Sequence, residues 1–243
     1  MDEGPQQVDT RRVPKYYSLK QRLRAQIDGF PAGTPLKPER ALSEELGASR
    51  STVRQALLEL AVEGRIVRMQ GRGTFVAPPK ETLPLQLRSY TEDWRARGRI
   101  PGSRLLEMRV EPAEPVVAEQ LGLDVDAPVL LVERLRLTDG VPMALEIVHL
   151  DSTRFEGLSE LLGDDVSLYE VLRGWSVEPA TAEQTIETVL ASPQVAHLLD
   201  AEVGTPVLLL TRRTSDQSGS AFEFVRSVYR GDRYRFRATL HRP

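Results

Sequence analysis

Arg134 and Arg136 stand two residues apart in the β-prone run Val129–Leu137, and alternation along a strand puts both on one face. Two guanidiniums with no acidic run beside them can hold a phosphate or a carboxylate. An exposed strand face with paired arginines is the alternative, and these two residues alone favour it. Ser167-Leu168-Tyr169 falls at a predicted helix start, where backbone N–H groups and a hydroxyl favour an anion. A plain serine cap beside a half-buried tyrosine is the alternative. Glu223 and Tyr229, six apart on one predicted strand, share a face and by themselves read as surface or core. A second set, Arg50, Ser51, Thr52, Arg54 and Gln55, crowds the first turns of another predicted helix. Arginine pairs bidentately with guanine, and serine and threonine bond to phosphates, so this set suits the N-terminal end of a helix entering a DNA major groove. Its alternative is a solvated helix face.

Other chemistries find less support. The chain has no cysteine, so disulfides, zinc-thiolate sites and cysteine nucleophiles are excluded, and a reducing cytoplasm suits it. The three histidines, His149, His197 and His241, are far apart in sequence, and His149 and His197 lie in apolar contexts. There is no GxSxG elbow, phosphate-cradling glycine loop or clustered metal-ligand set, so no catalytic residue, metal or cofactor is expected. The first residues, MDEGPQQVDTRR, lack the apolar stretch of a secretory signal, and no apolar run approaches the ~18 residues of a membrane span. Net charge is −3, with 32 Lys+Arg against 35 Asp+Glu. Residues 1–80 hold 14 basic and 9 acidic side chains, and the remainder 18 and 26. A basic front on an acidic remainder places any polyanion partner at the N-terminal third.

The elements that must position these residues follow from periodicity. At 243 residues the chain has room for two domains. Leu19, Leu23 and Ile27 mark a first helix and Pro38–Leu46 a second. Ser49 caps a third, whose stripe is Val53, Ala56, Leu57, Leu60 and Ala61. Two β-prone runs around Gln70-Gly71-Arg72-Gly73 then make a hairpin. A hairpin directly after a recognition helix is a wing, and Arg72 could enter a minor groove or touch phosphate. The division expected is a tail over 1–13, a winged helix-turn-helix over 14–77, a proline-containing linker over 78–84 and a second domain over 85–243. That domain reads as α+β. Helices are expected over Thr91–Arg97, Glu114–Leu121, Leu168–Arg173 and Pro193–Leu199. Strands are expected over Arg104–Val110, Val129–Leu137, Met143–His149, Ala182–Leu190, Val207–Thr214, Phe222–Tyr229 and Tyr234–Leu240. It also repeats: Val117-Ala118 and Pro128-Val129-Leu130-Leu131 match Val195-Ala196 and Pro206-Val207-Leu208-Leu209 at an offset of 78. Two such halves imply one antiparallel sheet with helices on one face and a ligand cleft between them. The sequence leaves open whether Glu178–Glu187 supplies ligands or only a charged strand face.

The segment TPLKPERALSEELGASRSTVRQALLELAVEGRIVRMQGRGTFV resembles the GntR family of bacterial regulators, departing at Lys37-Pro38, where many relatives carry a smaller polar residue. The resemblance implies DNA contact by Arg40, Arg50, Ser51, Thr52 and Arg54, with Gly71 at the wing tip. LRSYTEDWRARG, VERLRL, PMALE, SLY and FEFVRSVYRGDRYRF look like the HutC-type branch, whose sensor domain resembles chorismate lyase. They are most similar to regulators of N-acetylglucosamine use. That likeness spans 14–243 and implies a repressor of double-stranded operator DNA, responding to glucosamine-6-phosphate or N-acetylglucosamine-6-phosphate. One short reading head per chain supplies too few base contacts to be specific alone, so a homodimer is expected, in the cytoplasm that the absence of cysteine suits. Arg134, Arg136, Ser167 and Tyr169 would surround the phosphate, with Tyr90 and Thr91 nearby. Glu146, Glu223 and Tyr229 would face the sugar hydroxyls or the amino or acetamido group. Related sensors accept other ligands through small pocket changes, so a different anionic metabolite is the first alternative and a lyase-like activity the second.

Overall fold

A computed structural model describes residues 14–69, 71–240 and 242; the expected tail over 1–13 lies outside them. The chain forms two compact units, one ending at Lys80 and the other starting at Glu81.

In the first unit α1 (Lys15–Ile27), α2 (Glu39–Leu46) and α3 (Arg50–Val62) precede a hairpin of β1 (Ile66–Met69) and β2 (Gly73–Val76). The expected apolar stripes make its core: Leu19, Leu23 and Ile27 from α1, Leu42 from α2, and Val53, Ala56, Leu57 and Leu60 from α3, closed by Ile66 and Val76. Pro38 and Ser49 stand at the caps of α2 and α3, and the Ser49 hydroxyl accepts from the Thr52 N–H at 3.2 Å. Lys20 of α1 bonds Glu59 at 2.7 Å and Glu63 at 3.0 Å, tying α1 to α3. Gly71 turns the wing at φ +70°, a region that costs L side chains strain.

The second unit is built on a six-stranded antiparallel sheet of order β4-β5-β6-β9-β8-β7, with β4 (Pro101–Pro112), β5 (Pro128–Thr138), β6 (Val141–Asp151), β7 (Pro179–Leu190), β8 (Pro206–Asp216) and β9 (Ala221–Arg230). The repeat is real in space. β4 and β7 have 12 residues each and begin at Pro101 and Pro179. α5 (Pro115–Leu121) and α8 (Pro193–Leu198) follow, then the 11-residue β5 and β8. The halves meet along β6 and β9. The hairpin turn Asp139-Gly140 takes two positive-φ residues, +50° and +78°, as a two-residue loop with the strand twist requires.

Three expectations change. Helices do not lie on one face only. α5 and α8 cover the face carrying Leu135, Leu145, Val129 and Phe224. The other face is covered at one end by α6 (Leu158–Leu161), α7 (Leu168–Leu172) and the 3-10 turn Arg173–Trp175, through Leu130, Val132, Val148 and Leu150. At its other end α4 (Tyr90–Arg95), β3 (Glu81–Pro84) and β10 (Tyr234–Arg237) cover it, around Trp94 and Tyr234. A sheet that is apolar on both faces requires two covering layers. Residues 81–84, expected in the linker, are a strand, and β10, expected to run to Leu240, pairs in parallel with β3 rather than joining the main sheet. The short α6 shows no periodicity that could have announced it.

Candidate functional site

Two lids on one sheet face leave a seam between them. Across it the register sets Arg134 opposite Glu146, Glu146 opposite Ser227, and Ser227 opposite Leu210, and directly opposed residues share a face. A cleft partly open to solvent lies over this row. Its lining includes Glu146, Ser227, Tyr229, Arg212, Gln184 and, from the first lid, Tyr90 and Asp93. The lids are joined over the seam by ion pairs of α4 with the second lid: Arg95 to Glu170 at 2.7 Å, and Arg173 to Glu92.

The seam holds an unusual charge set. Arg134 donates to Glu146 at 2.6 Å and reaches the Val166 carbonyl at 3.5 Å. Arg136 donates to the Ser103 hydroxyl at 3.1 Å and lies over the Tyr90 ring at 4.6 Å. Arg212 approaches the Tyr169 hydroxyl at 3.3 Å and Glu223 at 3.7 Å. Glu223 accepts from Tyr169 at 2.8 Å and from Thr214 at 2.6 Å. Three guanidiniums therefore surround two carboxylates. Among the described residues the Nε atoms of Arg134, Arg136 and Arg212 and the Ser167 hydroxyl are buried without a hydrogen-bond partner. Such donors are costly to leave unpaired.

The titration behaviour follows from burial and these charges. Burial pushes the Glu146 carboxyl upward, but Arg134, Arg136 and Arg212 together outweigh it and hold it below the usual carboxylate range. Burial pulls the Arg136 guanidinium below its ordinary value and raises the Tyr90, Tyr169 and Tyr229 phenols. Asp93, on the cleft wall, is also raised by burial, against Arg97 and Arg88.

The expected residues are brought together unequally. Tyr90, Glu146 and Tyr229 line the cleft, with Arg134 and Arg136 immediately behind Glu146. Thr91 is buried on the first turn of α4. Ser167 caps α7 without bonding it; that helix has only five residues, so the hydroxyl counts here rather than a helix dipole. Tyr169 and Glu223 bond each other at one end of the seam and do not line the cleft. Gln184 is the one residue of the Glu178–Glu187 segment on the cleft wall.

In the first unit the α3 face opposite the core presents Arg50, Ser51, Arg54 and Gln55 to solvent. Ser49 bonds the hydroxyls of Ser51 at 2.9 Å and Thr52 at 2.7 Å. Arg40 is exposed on α2, paired to Glu44 at 3.1 Å. Gly71 and Arg72 are exposed at the wing tip. An exposed cationic face on the third helix and an exposed wing are the surfaces that a winged helix-turn-helix offers to DNA.

Residues 15–76 match the model of the bacterial regulatory proteins of the gntR family, and residues 96–235 match the UTRA domain. The chain belongs to the gntR family of regulators, in its UTRA-domain branch. It is 41% identical to the HTH-type transcriptional repressor PhnF of Mycolicibacterium smegmatis over 95% of this chain and 94% of the relative. With the HTH-type transcriptional repressor NagR of Bacillus subtilis it shares 40% identity, over 92% and 93%. The crystal structure of the M. smegmatis PhnF superposes with a TM-score of 0.66, covering 91% of this chain and 98% of that one. This gntR-family chain is thus a DNA-binding transcriptional regulator of HutC type, and these two relatives are named as transcriptional repressors. Among its described residues no helix is long and apolar enough to cross a membrane.

Arg212 was missing from the sequence-based site of this regulator. The signal was present: Arg212 is Arg134 plus 78, the offset of the internal repeat. Thr214, which bonds Glu223, stands at the same offset from Arg136 but with a different residue type, and Ser103, which bonds Arg136, carries no such mark.

Proposed function

We propose that the chain is a homodimeric repressor whose affinity for a pseudo-palindromic operator is set by a phosphorylated amino sugar, glucosamine-6-phosphate or N-acetylglucosamine-6-phosphate. The observation that carries the effector reading is the seam's excess of buried, partly unpaired donors: Arg134, Arg136, Arg212 and Ser167 around only two carboxylates. A bound anion supplies the missing acceptors, and charge-assisted bonds to phosphate are the strong kind. Glu146 and Tyr229, on the cleft wall, then face the polar body of the ligand. Tyr90 and Thr91 border the phosphate from the first lid, and Tyr169 and Glu223 close the far end. Each recognition helix enters a major groove through Arg50, Ser51, Thr52 and Arg54, with Arg40 and the Gly71-Arg72 wing tip on the backbone. The two half-sites lie about 34–36 Å apart or a multiple of that. Effector binding is read by the linker at Pro78-Pro79, which re-aims the heads and lowers operator affinity. Binding, not turnover, is the role of the cleft.

The experiment is thermal melting of the purified chain against glucosamine-6-phosphate, N-acetylglucosamine-6-phosphate, glucose-6-phosphate, inorganic phosphate and chorismate, with the ligands assayed for conversion afterwards. Ligand that binds only the native state stabilises it by about 2.7 kcal/mol at a hundred times its dissociation constant. A saturable shift confined to the amino-sugar phosphates, unconverted, is the expected result. Arg134→Ala removes the shift while operator binding persists. Equal shifts with every phosphate, or a normal response in the Arg134 variant, would remove the named effector and move the search to other small anionic metabolites.

A further inference from the structure

Lys37-Pro38, the dipeptide at which the head departs from the pattern of its relatives, has no part in the DNA contacts given so far. The residues before it are not a loose loop. Val76 N–H donates to the Thr34 carbonyl at 2.9 Å and Leu36 N–H to the Thr74 carbonyl at 2.8 Å, and Pro35 bridges Phe75 in the antiparallel sense. Residues 34–36 thus run along β2 as a short third strand of the wing. One residue further, that register brings Lys37 level with Gly73, at the end of the wing loop. The ring of Pro38 disfavours a helical conformation at the residue before it, so Lys37 stays with the strand and α2 begins only at Glu39. Glu39 in turn bonds Arg68 of β1 at 3.2 Å, which ties the start of α2 to the other strand of the wing.

The Lys37 side chain is 63% exposed, and its ammonium lies 2.7 Å from Glu45 in the last turn of α2. The same helix carries a second exposed pair, Arg40 with Glu44. Pairs at the surface contribute little to stability, so the fold does not depend on either. What the arrangement fixes is place. It stations a cation beside the loop that carries Arg72 and three residues ahead of Arg40, both exposed. An ammonium has three donors and no acceptor, and a carboxylate held only at the surface can be exchanged for a phosphate.

We propose that Lys37 is a further contact to the DNA backbone: its ammonium leaves Glu45 and takes a phosphate alongside the wing. The inference rests on the DNA-binding reading of the head and adds to it one cation with its resident competitor. Glu45 stands in for the phosphate in the free chain, so binding at this point is an exchange of one anion for another. Phosphate contacts carry no sequence information, and Lys37 therefore contributes affinity rather than preference between sequences.

Fluorescence anisotropy of the full chain across a salt series tests this, on a duplex that the wild type enriches from a random pool and on an unrelated duplex of equal length. Lys37→Met weakens binding to both by about fivefold to tenfold and flattens the slope of log affinity against log salt by up to ~0.9, the share of one phosphate. Lys37→Arg restores both. Glu45→Gln tightens binding by about threefold, the weight of an exposed pair, and by less where Lys37 is already methionine. Melting temperatures stay at the wild-type value, because both side chains are exposed. Arg22→Met removes an exposed cation of α1 and controls for net charge. An unchanged slope in Lys37→Met would overturn the contact and leave the DNA-binding reading intact. An equal loss in Arg22→Met would do the same, by assigning the effect to net charge. Equal gains from Glu45→Gln in the two backgrounds would remove the exchange. A wild type that enriches no duplex would overturn the contact and the reading of the head together.

Discussion

Ser167 is the residue at which binding and folding separate most cleanly. Its hydroxyl is buried, bonds neither its own helix nor any other described group, and so contributes no hydrogen bond to the unliganded fold. Arg134 and Glu146 differ, because each neutralises the other at 2.6 Å and removing one strands a buried charge. Ser167→Ala therefore leaves the melting temperature of the free chain within a degree or two. It weakens the anionic effector by about tenfold to a hundredfold, the weight of one hydrogen bond to a charged group, roughly 1.5–3 kcal/mol. Isothermal titration beside an unliganded melt measures both; a large loss of free stability with unchanged affinity would assign Ser167 to folding. From sequence alone this serine read equally as an ordinary cap. Only the absence of a capping bond in the structure separates the two.

At the scale of elements, the proposed reading head is helix α3. Its core stripe and its exposed face were both legible, because a 3.6-residue period fixes which side chains share a side. Arg54 is exposed on that face, one turn beyond the cap. Arg54→Ala is expected to cost about 1–3 kcal/mol of operator affinity and to relax preference at one base position if the guanidinium reads a base edge. If it contacts phosphate instead, binding weakens evenly across sequences and the salt slope falls by about one. Competition binding on operator variants at two salt concentrations distinguishes these outcomes. The lids were less legible. α4 and α7 have six and five residues, too short for periodicity to tell which sheet face they cover. Their joining through Arg95–Glu170 and Arg173–Glu92 pairs residues some eighty positions apart, which no local pattern encodes.

For the whole molecule, the basic first third and acidic remainder match the division at Lys80. If DNA is bound by the first unit and effector by the cleft of the second, as proposed, the two are coupled, and such coupling is reciprocal. If effector lowers operator affinity by about 1–3 kcal/mol, saturating operator lowers effector affinity by the same factor, roughly five- to 150-fold. Titrating effector into the free chain and into the operator complex measures this. Equal affinities would mean that the cleft and the head are not linked.

The sequence by itself determined what depends on neighbours in the chain: the three head helices and their caps, the wing, the sheet strands, the repeat, and Arg134 with Arg136 on one face. Strand alternation and helical periodicity are local rules, so they need no knowledge of what packs where. Tertiary structure decided what depends on distant segments meeting. It placed helices on both sheet faces, turned residues 81–84 into a strand against β10, and set Arg212 beside Glu223 and Tyr169. A strand's pattern says which side chains point the same way, but what covers that side is chosen by packing, through contacts between residues far apart in the chain.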